Sequence, residues 1–571
     1  MKNRRLIFIF AGIALLGICA CGAFFMLFMA DDSDTEATER GVEATSAVVE
    51  SATATDLELE ENTDNTSVPT SELVVEPTSP PLEEPTNVPE PTDPPQPTAV
   101  PTVGTSRSNP LTTADLIEAP NWDVEVLEVV RGEEAWSMLQ AANQFNEPPA
   151  DGMQYILVRL KVTSTYQDTE SHSIGSSDFG LTGDRLILYD SASVVVPEPE
   201  LNAELFTGGE AEGWIAFAAG QDETQLTLVV DELLNFDDDR YRYVALDDNA
   251  SIAIEPALFD VIPTNDGISR ENPVPPDSQA VTDEWEVMIT EVVRGDAAWA
   301  AVQSANQFNE PPAEGMEYVA VKILVRNIGI IDRASTIDGS AFKLTGENNI
   351  LYDWPSIVDP EPTLDVDLYP GGQYEGWTVM AARVGEEQLM VRFEPFFEFS
   401  DDNIRYLALT EGASLTVPLD LAEIEPNGRG EDRASPAPLG ETVITDDWEI
   451  TALEVIRGDE ALVRVQEANQ FNEPPEPGTE YIAVRVKVRN ISQTDEPERI
   501  SDSSFSLVDE SNVEYDLPSI VEPEPALDIS LYPGGEYEGW VVLQSSEGSS
   551  NPVAVISSFF GFNETYFSLV P

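Results

Sequence analysis

Along residues 481–489, Tyr-Ile-Ala-Val-Arg-Val-Lys-Val-Arg, apolar and polar side chains alternate. Ile482, Val484, Val486 and Val488 fall on one side, Arg485, Lys487 and Arg489 on the other. A period of two is that of a half-buried strand in an antiparallel sheet. A similar alternation starts at Trp122 with Val124 and Val126, and returns from Trp285 and Trp448. Further strand signals are Phe505 with Leu507, Leu531-Tyr532, Trp540 to Leu543, Val553 to Ile556, and the stretches QLTLVV and YRYVAL nearer the N-terminus. Turns of Gly, Asp, Asn and Pro separate them. About seven or eight short strands at this spacing predict a β-sandwich. One element breaks the pattern. After Arg457-Gly458, the run DEALVRVQEANQF places Leu462, Val465 and Ala468 at helical spacing, with acids in the first turn. Asn469 is expected to end this helix in the left-handed cap conformation, and Pro474-Pro475 prevents its continuation.

The pattern is written three times. Trp122, Trp285 and Trp448 open three copies. Asn143, Asn306 and Asn469 each begin the heptapeptide NQFNEPP, and Trp214, Trp377 and Trp540 each close a G-G-x-x-E-G-W turn. Every step is 163 residues, so the copies stay in register without insertions. A period of this length is a domain rather than a solenoid unit. The expected organisation is a tip and anchor over 1–30, a stalk over 31–118, and sandwiches over 119–258, 282–420 and 445–571.

Leu6 to Met29 is 24 residues without a charge, enough for a helix to cross a bilayer. Lys2, Arg4 and Arg5 precede it, and Asp31, Asp32 and Asp34 follow. The positive-inside rule puts the short N-terminus in the cytoplasm and the rest outside, a single-pass cell-membrane protein. The alternative is a lipoprotein signal cleaved before Cys19, against which the bulky Ile18 argues. Residues 31–118 are rich in Thr, Pro, Glu and Ser, with 20 acids against Arg40 and Arg107. Such a segment cannot bury enough apolar area to offset its ordering entropy, and proline and self-repulsion extend it.

The net charge is −78. That excludes phosphate neutralisation by a basic patch, so nucleic acid is not an expected partner. It also keeps the chain soluble by self-repulsion. Cys19 and Cys21, both inside the apolar span, are the only cysteines, and His172 is the only histidine. Copies two and three therefore hold no Ser-His-Asp or Cys-His arrangement, and no enzyme is expected.

The opening Trp strand, the strand from Gly478 to Val484 and the later Pro-Gly-Gly…Gly-Trp turn resemble the bacterial telokin-like extracellular domains. The resemblance covers each copy and implies an immunoglobulin-like surface module, of a family whose function is unknown and which lends no catalytic residues. The fold expected is then all-β: three tandem immunoglobulin-like sandwiches, each with one short helix, behind a transmembrane helix and a disordered stalk.

Three sets of residues invite chemistry. The NQFNEPP loops offer Asn143, Phe145 and Asn146; Asn306, Phe308 and Asn309; and Asn469, Phe471 and Asn472, as stacking platforms flanked by amides for sugar or peptide. The structural alternative makes the loop a helix stop whose Phe packs on the sandwich and whose Asn side chains satisfy backbone groups. Asp237, Asp238 and Asp239, with Asp401 and Asp402 in the matching loop, could hold calcium, although no EF-hand spacing appears. Otherwise no cofactor is expected. Arg294-Gly295-Asp296 and Arg457-Gly458-Asp459 read as receptor tripeptides or, more simply, as turns leading into the helix. These residues point to a membrane-anchored, extracellular, non-catalytic binding or adhesion protein, bacterial in character, whose partner is a protein or glycan. The alternative is an envelope spacer with no specific ligand.

Overall fold

The computed structural model describes residues 102–232, 240–395, 403–557 and 564–570. The expected anchor and the stalk as far as residue 101 lie outside them, as do Asp237, Asp238, Asp239, Asp401 and Asp402. The described chain is mostly β, in sandwich-like sheets, and its elements recur at the 163-residue step.

Each copy builds a four-stranded antiparallel sheet whose long central strand takes hydrogen bonds from both sides. In the first copy that strand is Met153–Ser164, between Trp122–Arg131 and Glu210–Gly220. Its alternation reports two different burials. Ile156, Val158, Leu160 and Val162 point into the sandwich, against Phe179, Leu181 and Leu228 of the opposite sheet. Tyr155 and Leu157 point the other way, under a helix. In the third copy Tyr481 and Ala483 take the helix side, and beyond the helix Arg485 and Lys487 emerge to pair with Glu538 and Glu536. Each opening strand carries a bulge at the same place, between Val126 and Glu128, Ile289 and Glu291, and Ala452 and Glu454.

The helices are α1 (Gly132–Ala142), α2 (Asp296–Ala305) and α3 (Asp459–Ala468). Two residues of each are buried on the sheet, Ala135 and Leu139 in α1 and Ala461 and Val465 in α3. The glycine at the start of each helix has φ near +60° (Gly132 +61°, Gly295 +59°, Gly458 +59°), which a Cβ would resist. The Trp of the G-G-x-x-E-G-W turn lies beneath the helix, not inside the sandwich, with Trp214 and Trp540 buried and Trp377 half-buried.

Two sequence expectations need correction. The helices do not end in left-handed residues: Asn143, Asn306 and Asn469 are extended, with φ of −148°, −147° and −149°. Their side chains make a local turn instead, as described below. The stalk also does not run to residue 118. Leu111–Thr112 pairs in parallel with Arg242–Ala245, Ile117–Glu118 pairs with the opening strand, and Ile117 and Arg107 are fully buried. The same segment before the later copies is likewise folded, with Arg270, Val274 and Ala437 buried. These stretches read as polar linker because their partners lie far along the chain.

The copies are joined through their sheets. Each copy carries the same two short edge strands: β1 (Ile187–Tyr189) and β2 (Asn202–Leu205) in the first, β3 (Ile350–Tyr352) and β4 (Asp365–Leu368) in the second, β5 (Glu514–Tyr515) and β6 (Asp528–Leu531) in the third. Strand β1 of the first copy pairs antiparallel with β4 of the second, and β3 of the second with β6 of the third. Each junction therefore continues one copy's sheet into the next.

Candidate binding loops

At the end of α1, the Asn143 side-chain oxygen accepts the Phe145 amide at 3.0 Å, closing an Asx turn. Asn146 then ties three segments together. Its amide nitrogen donates to Leu139 O at 2.9 Å and to Val195 O at 2.8 Å, and its oxygen accepts the Val195 amide at 2.9 Å. The Tyr155 hydroxyl donates to Glu147 O at 3.2 Å from the sheet below. The second copy repeats this. Asn306 accepts from Phe308, Asn309 bridges Val302 and Val358, and Tyr318 holds Glu310 O. In the third, Asn469 accepts from Phe471, Asn472 bridges Val465 and Val521, and Tyr481 holds Glu473 O.

Asn146, Asn309 and Asn472 are thus turned inward on backbone groups, while the oxygens of Asn143, Asn306 and Asn469 hold the amide two residues on. The phenylalanines do the opposite. Phe145 and Phe308 are 81% exposed and Phe471 80%, so the expectation that they pack on the sandwich is wrong. Val195, Val358 and Val521, on the strap that Asn146, Asn309 and Asn472 grip, are also half exposed. The loop is fully fastened while its largest apolar side chain stands in water. A buried aromatic would gain about 1.5–3 kcal/mol that these three forgo. In the first copy an open groove beside Phe145 is floored by Tyr155, Met153 and Ala218 and walled by Pro148, Pro149 and Val194.

The other candidates resolve into structural parts or fall outside the described residues. Arg294 donates to Glu317 at 2.6 Å and to Glu386 O at 3.0 Å, and Arg457 to Glu480 at 2.6 Å and Ser549 O at 2.8 Å. The arginine of each tripeptide is therefore held by its own copy. His172 stacks on Tyr166 with ring centroids 3.5 Å apart and bonds Asp168. Among the described residues no group of three His, Cys, Asp or Glu is arranged to hold a metal ion. None of their helices is long and apolar enough to cross a membrane.

Sequence reasoning missed a second cluster. At the first junction Arg107, with a wholly buried side chain, donates from its amide and Nε to Asp332 at 2.9 and 2.7 Å, and its guanidinium lies 3.8 Å over the Tyr369 ring. At the second, Arg270 donates from Nε to Asp495 at 2.9 Å and lies 3.6 Å over Tyr532. Tyr243 meets Tyr369 edge to face, and Tyr406 meets Tyr532 in the same way. Burial pushes the pKa of all four phenols above the ordinary tyrosine value. The available signal was an arginine at the 163-residue step, at 107, 270 and 433.

The chain is of a class in which a short helix rides on one face of a β-sandwich and presents a fixed loop. Residues 437–564, within the third copy and the segment leading into it, match the model of a domain of unknown function, DUF4352. Among solved structures, the chain is similar to the yjhA protein from Bacillus subtilis, at 14% identity and a TM-score of 0.18 over 24% of this chain and 99% of that one. It is also similar to an uncharacterized β-sandwich protein from Clostridium difficile, at 16% identity and a TM-score of 0.17 over 26% of this chain and 100% of that one. No curated protein matches it.

Proposed function

We propose that the chain is a non-catalytic binding protein of the bacterial cell envelope. In this reading it carries three tandem telokin-like, immunoglobulin-like modules on a membrane-anchored stalk, and it engages an extracellular protein or glycan through Phe145, Phe308 and Phe471. The observation that carries the reading is the exposure of all three rings on loops that their asparagines fasten to the sandwich. An aromatic ring held on a rigid loop offers a stacking or anchoring surface at low entropic cost. Three copies would add avidity. The spacer reading draws on a different observation, the strand pairing that joins successive copies.

The two readings separate in one experiment. The full chain and its F145A/F308A/F471A variant are crosslinked to the cell's own envelope and medium proteins and applied to a glycan panel. Exposed rings contribute little to the fold, so the variant should melt with the parent. A saturable partner held by the parent and lost by the variant supports binding. No saturable partner for the parent favours the spacer, and equal capture by both removes the phenylalanines from the site.

A further inference from the structure

The two internal junctions use one set of groups, and the outer faces of the first and third copies carry that set in altered form. On the donor side each junction supplies an arginine, a turn residue with positive φ and a tyrosine: Arg107, Leu186 (+62°) and Tyr243 at the first, Arg270, Asn349 (+56°) and Tyr406 at the second. On the incoming side it receives an aspartate, an edge strand and a tyrosine: Asp332, β4 and Tyr369, then Asp495, β6 and Tyr532. The backbone closes the fit, since the Tyr369 amide donates to Leu186 O and the Tyr532 amide to Asn349 O, both at 2.8 Å.

The third copy presents the donor side again, and among the described residues no strand pairs with it. Arg433 stands where Arg107 and Arg270 are buried, but it is exposed. It already donates to Asn512 at 2.6 Å, as Arg270 does to Asn349, and among the described residues no carboxylate pairs with it. Asn512 keeps the positive φ, at +60°, and Tyr566 occupies the place of Tyr243 and Tyr406. Strand β5 is the unpaired edge of its sheet. One position differs in kind. Glu514 stands where Leu188 faces Asp367 and Leu351 faces Ser530.

The N-terminal end does not complement this face. Among the described residues strand β2, the counterpart of β4 and β6, pairs only with His172–Gly175. A second copy of the chain docked in the internal register would set Glu204 opposite Glu514, and like charges directly opposed across a strand pair are destabilising. Thr169 stands where Asp332 and Asp495 supply the carboxylate, and Phe206, 62% exposed, replaces the tyrosine.

We propose that the edge of the third copy formed by Arg433, Asn512 and β5 is a docking face of the internal-junction type. It takes the edge strand of a β-sandwich on a different protein, one that brings a carboxylate to Arg433, a tyrosine beside Tyr566, and a neutral or basic residue opposite Glu514. Strand addition at an exposed edge supplies main-chain bonds, and the side chains supply the choice of partner. The acid at 514 rejects the chain's own N-terminal edge and so prevents open head-to-tail growth, the risk inherent in a heterologous interface.

The test gives the chain the missing complement. Full-length wild type in detergent is immobilised, and full-length T169D/E204K/F206Y is passed over it. All three positions are exposed, so the variant should fold, which its melting curve checks. The expected result is saturable capture at least tenfold tighter than that of wild-type analyte, lost when the immobilised chain carries R433A. A second arm uses charge alone. E514K on the immobilised chain should strengthen capture of wild-type analyte, and E204K on the analyte should then cancel the gain. Capture of the triple variant no better than wild type, capture indifferent to R433A, or charge swaps without effect would each overturn the proposal.

Discussion

The arginine that is buried twice and exposed once offers a matched pair of substitutions, Arg270→Ala and Arg433→Ala. Arg270 is fully covered, bonded to Asp495 and Asn349, and stacked on Tyr532. Breaking a buried ion pair by removing one partner costs about 3–5 kcal/mol, and a desolvated cation–π contact contributes about 2 kcal/mol of similar interactions. Asp495 keeps 27% side-chain exposure and can be rehydrated once the arginine is gone, which sets the expectation at the lower end, about 3 kcal/mol. Arg433 loses an exposed bond to Asn512 and a long one to Asp509 O, and its replacement should cost under about 0.5 kcal/mol. Native-state hydrogen exchange reads the difference where it arises. The Tyr532 amide, bonded to Asn349 O across the junction, should exchange about a hundredfold faster in R270A, since about 1.4 kcal/mol is a factor of ten. In R433A it should not change. Equal effects of the two substitutions, or unchanged exchange at Tyr532 in R270A, would refute the view that buried charge and strand pairing hold the copies together.

Three other outcomes follow from the loops and the core. Asn309→Ala removes two donated bonds and orphans the Val358 amide, so chemical denaturation should show a loss of about 2–3 kcal/mol, against under about 0.5 kcal/mol for Phe308→Ala. Gly295→Ala places a Cβ at φ +59° and ψ −134°, a conformation close to glycine-only, and should cost about 1–3 kcal/mol in the same assay. Burial raises the Glu522 carboxyl from 4.5 to about 7, partly opposed by the Val542 amide bonded to it. Because the folded value lies above the unfolded one, this group's contribution to stability is complete below about pH 4.5 and is lost as pH rises through about 7. Glu522→Gln should therefore melt higher than wild type at pH 8 and match it at pH 4.5; a pH-independent difference would refute the assignment.

Much of each sandwich was legible because period-two alternation reports burial directly. Residues 479–490 form the expected strand, and the helix begins and ends where its glycine and asparagine stand. What alternation cannot report is what covers a face. Tyr481 and Ala483 read as part of a sheet surface, yet a helix lies over them. The sequence left Phe145, Phe308 and Phe471 open between stacking platforms and rings packed on the sandwich, and the structure shows the asparagines doing the fastening while the rings stand exposed. The junction arginines were invisible for another reason. Arg107 and Asp332, like Arg270 and Asp495, are 225 residues apart, and nothing local distinguishes a buried guanidinium in S-R-S-N from a solvated one.

Sheets that run on from one copy to the next have a consequence for whatever binds the loops. Flexible tethers would let three sites search for three targets at any separation, each capture costing entropy. Here the strand pairs fix the pitch at which the phenylalanines stand, so in the proposed binding role the chain would act as a ruler. A partner whose own sites repeat at that pitch gains the full multiplication of affinity, with the ordering cost already met in folding. One whose sites repeat at another pitch gains only what a single loop can give, so spacing itself becomes part of what is recognised.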